Sequence, residues 1–176
     1  QDNWYAYGPE YLNAGESIVI ENKEVKPNPG LTYAQLFLTQ NLVLNTAAQG
    51  ASYDIQIAGD TDLGAGYVRF AAEKLSDVRY TIGSPSGAQL HTAGYIVDAG
   101  VTAELRLRNS DAAATPEWRK VGQGTLRICG NGNNEVLLNV GGPGLTLLEQ
   151  EKGYAAYNVL VNTGSTVRIA DPQQIA

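Results

Sequence analysis

The stretch Val101-Thr102-Ala103-Glu104-Leu105-Arg106-Leu107-Arg108-Asn109 alternates without a break. Val101, Ala103, Leu105 and Leu107 share one parity, and Thr102, Glu104, Arg106 and Arg108 share the other. Successive side chains of an extended chain point to opposite faces, so the pattern specifies a strand with one face in a core and one in water. The same alternation, with less contrast, recurs from Ser17 to Ile169 and is broken each time by Gly, Asn, Pro or Asp, the residues that turns favour.

Working outward from that strand, Gly94 to Val97 precedes it across Asp98-Ala99-Gly100, and the two read as a hairpin. Upstream, Ser17 to Glu21, Ser52 to Ala58, Tyr67 to Phe70 and Asp77 to Ile82 read as strands. Leu31 to Leu44 fits either a helix or a strand, and we expect a strand bent near Gln40 and Asn41. Ala71 to Leu75 is the one good candidate for a helical turn. Downstream, Ser110 to Lys120 is the longest polar interruption and reads as an exposed loop carrying Pro116 and Trp118. Gly124 to Cys129 and Glu135 to Val140 flank Gly130-Asn131-Gly132-Asn133-Asn134, a second hairpin signal because Asn and Gly accept positive φ cheaply. Leu145 to Leu148, Ala156 to Val161 and Ser165 to Ala170 complete the set.

The expectation is an all-β chain of about eleven or twelve short strands. They would form a single-domain antiparallel β-sandwich or jelly roll spanning residues 1–176, with an irregular aromatic arm over 1–15. No internal repeat stands out, which counts against a propeller or solenoid.

The 176 residues carry 18 Asp and Glu against 12 Lys and Arg, a net charge of −6. That balance opposes nucleic-acid binding, which relies on cations neutralising phosphates. The basic residues form no cluster that would address a membrane surface, and no run approaches the roughly 20 apolar residues of a membrane helix. Cys129, the single cysteine, has no partner for an intrachain disulfide, and the alternation through Thr125-Leu126-Arg127-Ile128-Cys129 suggests a core position. With no Met present, we expect the numbering from Gln1 to begin downstream of a removed segment.

Asp60-Thr61-Asp62-Leu63-Gly64 resembles the opening of a calcium loop, but Ala71 stands where a bidentate carboxylate is needed. Gly83-Ser84-Pro85-Ser86-Gly87 puts Pro85 where a nucleophile elbow needs serine, and His91 is the only histidine. Gly122-Gln123-Gly124 leads into a strand, and Gly141-Gly142-Pro143-Gly144 lacks the Lys-Ser/Thr of a phosphate loop. These read as turns. No catalytic residue, metal ligand or cofactor is expected.

The ten Tyr, two Trp and two Phe divide into two groups. Tyr53, Tyr67, Tyr80 and Tyr95 fall within strands and should cap the core. Trp4, Tyr5, Tyr7, Tyr11 and Trp118 fall outside regular strands and are the candidate contacts with another chain or a ligand. A weakly charged β protein of this composition is expected to be a non-enzymatic structural subunit of an extracellular or virion-like assembly, such as a coat, head-decoration, fibre or surface-filament protein. It would act by self-association or by contact with other structural proteins. The alternative is a carbohydrate-binding module or lectin, with Trp118 or the amino-terminal rings stacked on a sugar.

Overall fold

The computed structural model describes residues 17–20, 42–46, 49–57, 61–63, 66–73, 77–84, 87, 89–108 and 117–176. The chain passes back and forth between two sheets. Strand β1 (Ser17–Ile20) lies in the first sheet and β2 (Leu42–Leu44) in the second. β3 (Ser52–Ile57) returns to the first sheet. β4 (Thr61–Asp62) and β7 (Leu90–His91) form a small two-stranded sheet of their own. The alternation then continues through β5 (Tyr67–Phe70), β6 (Val78–Gly83), β8 (Gly94–Val97) and β9 (Val101–Arg106). It ends with β10 (Glu117–Val121), β11 (Thr125–Ile128), β12 (Leu137–Val140), β13 (Leu145–Leu148), β14 (Asn158–Val161) and β15 (Thr166–Ile169). The resulting orders are β1-β3-β6-β9-β11-β13-β15 in a seven-stranded sheet and β14-β12-β10-β8-β5-β2 in a six-stranded sheet.

Every strand pairing within these sheets is parallel. Between the sheet edges each strand therefore pairs with its counterparts one coil earlier and one coil later, and the architecture is a parallel β-solenoid. The expected antiparallel sandwich or jelly roll is wrong. Asp98-Ala99-Gly100 and Gly130 to Asn134 do not close hairpins: β8 and β9 lie in different sheets, as do β11 and β12. Both segments are bends that carry the chain from one sheet to the other. Gly and Asn serve such bends for the same reason that they serve hairpins, since positive φ costs Gly nothing; Gly100 has φ 75° and Gly132 φ 119°.

The repeat that the sequence hides is plain in the register. Trp118 pairs with Leu138 and Leu138 with Val159; Leu126 pairs with Thr146 and Thr146 with Val167. The spacing is about 20 residues, within the range of solenoid repeats. Earlier coils are longer, with Val68 against Tyr95 and Tyr95 against Lys120. A repeat of changing length and changing side chains leaves little self-similarity to read.

The core lies between the two sheets. In β9 the inward parity is Val101, Ala103 and Leu105, as the alternation implies. Ile55, Ile82, Leu105, Ile128 and Leu148 form one buried column across five strands of the seven-stranded sheet. Beside it, a line of rings crosses the core from Tyr53 and Tyr80 of the seven-stranded sheet to Phe70, Tyr95 and Trp118 of the six-stranded sheet. Tyr53 stacks on Tyr80 at 5.3 Å between centroids, Tyr80 meets Phe70 at 5.5 Å, Phe70 meets Tyr95 at 6.4 Å, and Tyr95 meets Trp118 edge-on at 5.4 Å. Such ring pairs contribute about 0.5–1.5 kcal/mol each beyond burial. The Tyr80 hydroxyl donates to the Ala71 carbonyl at 2.7 Å. Ala71 to Glu73 are not helical, and the rest of the expected helical turn lies outside the described residues.

Among the described residues the interior also takes a cation. Lys120 has the inward parity of β10 and is fully buried, with its ammonium donating to the Gly122 carbonyl at 2.8 Å. A Cβ on Gly144 would stand 2.3 Å from that Nζ and 2.3 Å from the Gly124 carbonyl oxygen, so the corner holds the lysine head only because residue 144 has no side chain.

Candidate functional site

Of the residues singled out in the sequence, Trp4, Tyr5, Tyr7 and Tyr11 lie outside the described residues. Trp118 does not lie in an exposed loop. It is in β10, 1% exposed, and its indole Nε1 is buried without a hydrogen-bond partner. The expected loop ends earlier because Trp118 and Lys120 alternate with the outward Glu117 and Arg119, a strand signal diluted by the charge on Lys120. The structure gives Trp118 no surface to offer a sugar or another chain. Cys129 also departs from expectation: Leu126 and Ile128 point inward, so Cys129, which follows β11 and donates its N–H to the Leu105 carbonyl at 3.0 Å, takes the outward parity and is only half-buried. Burial, the largest effect there, raises its thiol pKa.

On the outer face of the seven-stranded sheet, Glu104 lies beneath three guanidinium groups. Arg127 approaches it at 2.6 Å, Arg79 at 3.5 Å and Arg106 at 3.6 Å, and Arg127 bridges onward to Glu149 at 2.7 Å. Its carboxylate is 3% exposed although it has the wet parity. On the six-stranded sheet, Arg119 and Asn139 both donate to Glu117 at 2.9 Å, and Asn162 donates to Asn139 at 2.7 Å. Both sets tie successive coils and leave their charges mutually satisfied. Among the described residues no group of three or more His, Cys, Asp or Glu converges as a metal site would. Ser84 donates to the Ile57 carbonyl at 3.0 Å, and His91 lies in β7.

Among the described residues, the C-terminal coil leaves large apolar side chains exposed. Among the described residues β14 and β15 stand at the edges of their sheets, each paired on one side only, as β1 and β2 do at the other end. Val161 and Ile169 occupy the columns that in the coil before are filled by the buried Val140 and Leu148, yet they are 53% and 47% exposed. Leu160, outward on β14, is 48% exposed, and Tyr157 just before it is 55% exposed. A short 3₁₀ turn, Pro172–Gln174, folds back beside them. It inserts the buried Gln174, whose amide exchanges hydrogen bonds with the Gln150 backbone at 2.6 and 3.0 Å. That exchange closes the return side of the coil and leaves the two strand edges open.

The geometry defines a class, a parallel β-solenoid with a coil-shaped apolar end. No protein-family model matches this chain, and no solved structure matches it with significance.

Proposed function

We propose that this chain is a structural subunit of an extracellular or virion-like assembly, acting through protein–protein contacts. One observation carries the reading: the exposed Tyr157, Leu160, Val161 and Ile169 cluster along strand edges that no other described residue pairs. Free parallel edges with apolar side chains are templates for association. The self-satisfied ion networks on both sheet faces support the same reading, because they make those faces inert walls. Light scattering over a range of protein concentrations, with negative-stain electron microscopy, tests it. Defined oligomers or particles are expected; a monomer at every concentration that also binds no structural partner from its source would overturn it.

A further inference from the structure

We infer that Asn131-Gly132, the only Asn-Gly step in the sequence, is a site of spontaneous imide formation that the following coil holds latent. Asn131 is converted to aspartate and isoaspartate only in chains whose corner at Gly130 to Asn134 has opened. This covalent modification is independent of the assembly reading above.

The chemistry needs no co-reactant but water. The Gly132 backbone nitrogen loses its proton and bonds to the side-chain carbonyl carbon of Asn131. The carbon–nitrogen bond of the side-chain amide breaks, ammonia leaves, and a five-membered imide closes. Water then opens the ring at one carbonyl or the other. One opening gives aspartate; the other gives isoaspartate, in which the main chain runs through the former side chain and is one methylene longer. Glycine obstructs the closure least, because it places no side chain beside the attacking nitrogen.

The fold supplies that glycine and withholds its nitrogen. Gly132 stands at φ 119°, which favours glycine, and a Cβ there would press on the Arg108 stem at 2.9 Å. Asn131 is exposed, so water reaches its amide. Gly132 is held on both of its backbone groups: its N–H donates to the Lys152 carbonyl at 2.8 Å, and its carbonyl accepts from Gln150 Nε2 at 2.6 Å. The following coil also packs directly on it, since a Cβ on Gly153 would fall 2.7 Å from the Gly132 carbonyl carbon and oxygen. Asn131 itself bridges Lys152 in parallel register. The nitrogen turns back towards the Asn131 side chain only by leaving Lys152.

Conversion is one-way in its consequence. The extra methylene of isoaspartate shifts Gly132 along the ladder, so the Lys152 and Gln150 contacts no longer fall at their native spacing. Asn133 and Asn134 lie in the same corner but precede Asn and Glu, whose side chains hinder the next nitrogen, and they serve as internal controls.

The test incubates the full chain at mildly alkaline pH, folded and in guanidinium chloride, and follows tryptic peptide 128–152 by fragmentation mass spectrometry. Isoaspartyl methyltransferase reports the isoaspartate. The unfolded chain should convert at Asn131 ahead of Asn133 and Asn134, and the folded chain at least roughly tenfold more slowly, because it must first open locally. Gln150→Ala removes one bond to Gly132 and leaves the Gln174 contacts with the residue-150 backbone in place. It should speed conversion severalfold in the folded chain while the circular dichroism stays unchanged. Equal rates in the folded and unfolded native chain would overturn the latch, as would a folded Gln150→Ala that converts no faster. No preference for Asn131 in the unfolded chain would overturn the site. If Gln150→Ala does not fold, the comparison of folded with unfolded native chain decides.

Discussion

Arg127 and Glu104 are neighbours across β11 and β9, paired in register with Nη1 and Oε1 2.6 Å apart, and the carboxylate is covered by the guanidinium groups that surround it. Arg127 also grips Glu149 on the next coil, so one side chain ties three coils. Because Glu104 is buried and its partners are half-exposed, removing the acid and removing an arginine are unequal changes. Glu104→Ala leaves three cations crowded together and should destabilise by about 1–3 kcal/mol. Arg106→Ala, at a 3.6 Å contact with an exposed head, should cost within about 1 kcal/mol. Urea denaturation of both variants checks the order, and an equal cost would show that the carboxylate is not the hub.

Lys120 sets a pH dependence. Burial lowers its pKa to about 8, whereas an unfolded lysine titrates near 10.4. Between those values the unfolded chain binds more protons than the folded one, so stability rises with pH. The penalty for the buried cation is fully present below pH 8 and is relieved as pH climbs towards 10. The gain should be on the order of 1–3 kcal/mol. Above that range the buried phenols of Tyr80 and Tyr95, raised by desolvation, reverse the trend because the unfolded chain ionises first. Denaturant midpoints measured from pH 7 to 10 should rise in the native chain and stay flat in Lys120→Met.

Gly144 and Gly164 provide a matched pair of substitutions. A Cβ at Gly144 would stand 2.3 Å from the Gly124 carbonyl oxygen and 2.3 Å from Lys120 Nζ, while one at Gly164 would meet nothing within 4 Å. Gly144→Ala should therefore cost about 2–4 kcal/mol through overpacking. Gly164→Ala pays only the backbone cost of its φ of 82°, about 1 kcal/mol. Thermal melts distinguish them, and the reverse order would mean that the corner is looser than its geometry.

Trp118 reports on the core. In a Trp4→Phe background its emission should be blue-shifted and resist acrylamide quenching, since it is 1% exposed and set edge-on against Tyr95. Trp118→Ala should cost about 3–5 kcal/mol. Red-shifted, readily quenched emission from the folded protein would place the indole in solvent.

Most of the strands, and the faces of the best-alternating ones, were legible in the sequence. Tyr67–Phe70, Gly94–Val97 and Leu145–Leu148 have the bounds that alternation implies, and the buried parity of β9 was legible in Val101, Ala103 and Leu105. Side-chain period is a property of one strand, so it needs no knowledge of neighbours. Which strands pair, and in which direction, was decided only in three dimensions. Gly130 to Asn134 has the chemistry of a hairpin and of a solenoid corner alike, because both demand positive φ and neither specifies where the next strand docks. β10 was missed because its inward Lys120 reads as wet until the Gly122 carbonyl and the bare Gly144 are found around it. The open edges of β14 and β15 lie beyond any local pattern: Val161 and Ile169 resemble Val140 and Leu148 in sequence, and only the absence of a further coil in the described fold separates exposed from buried.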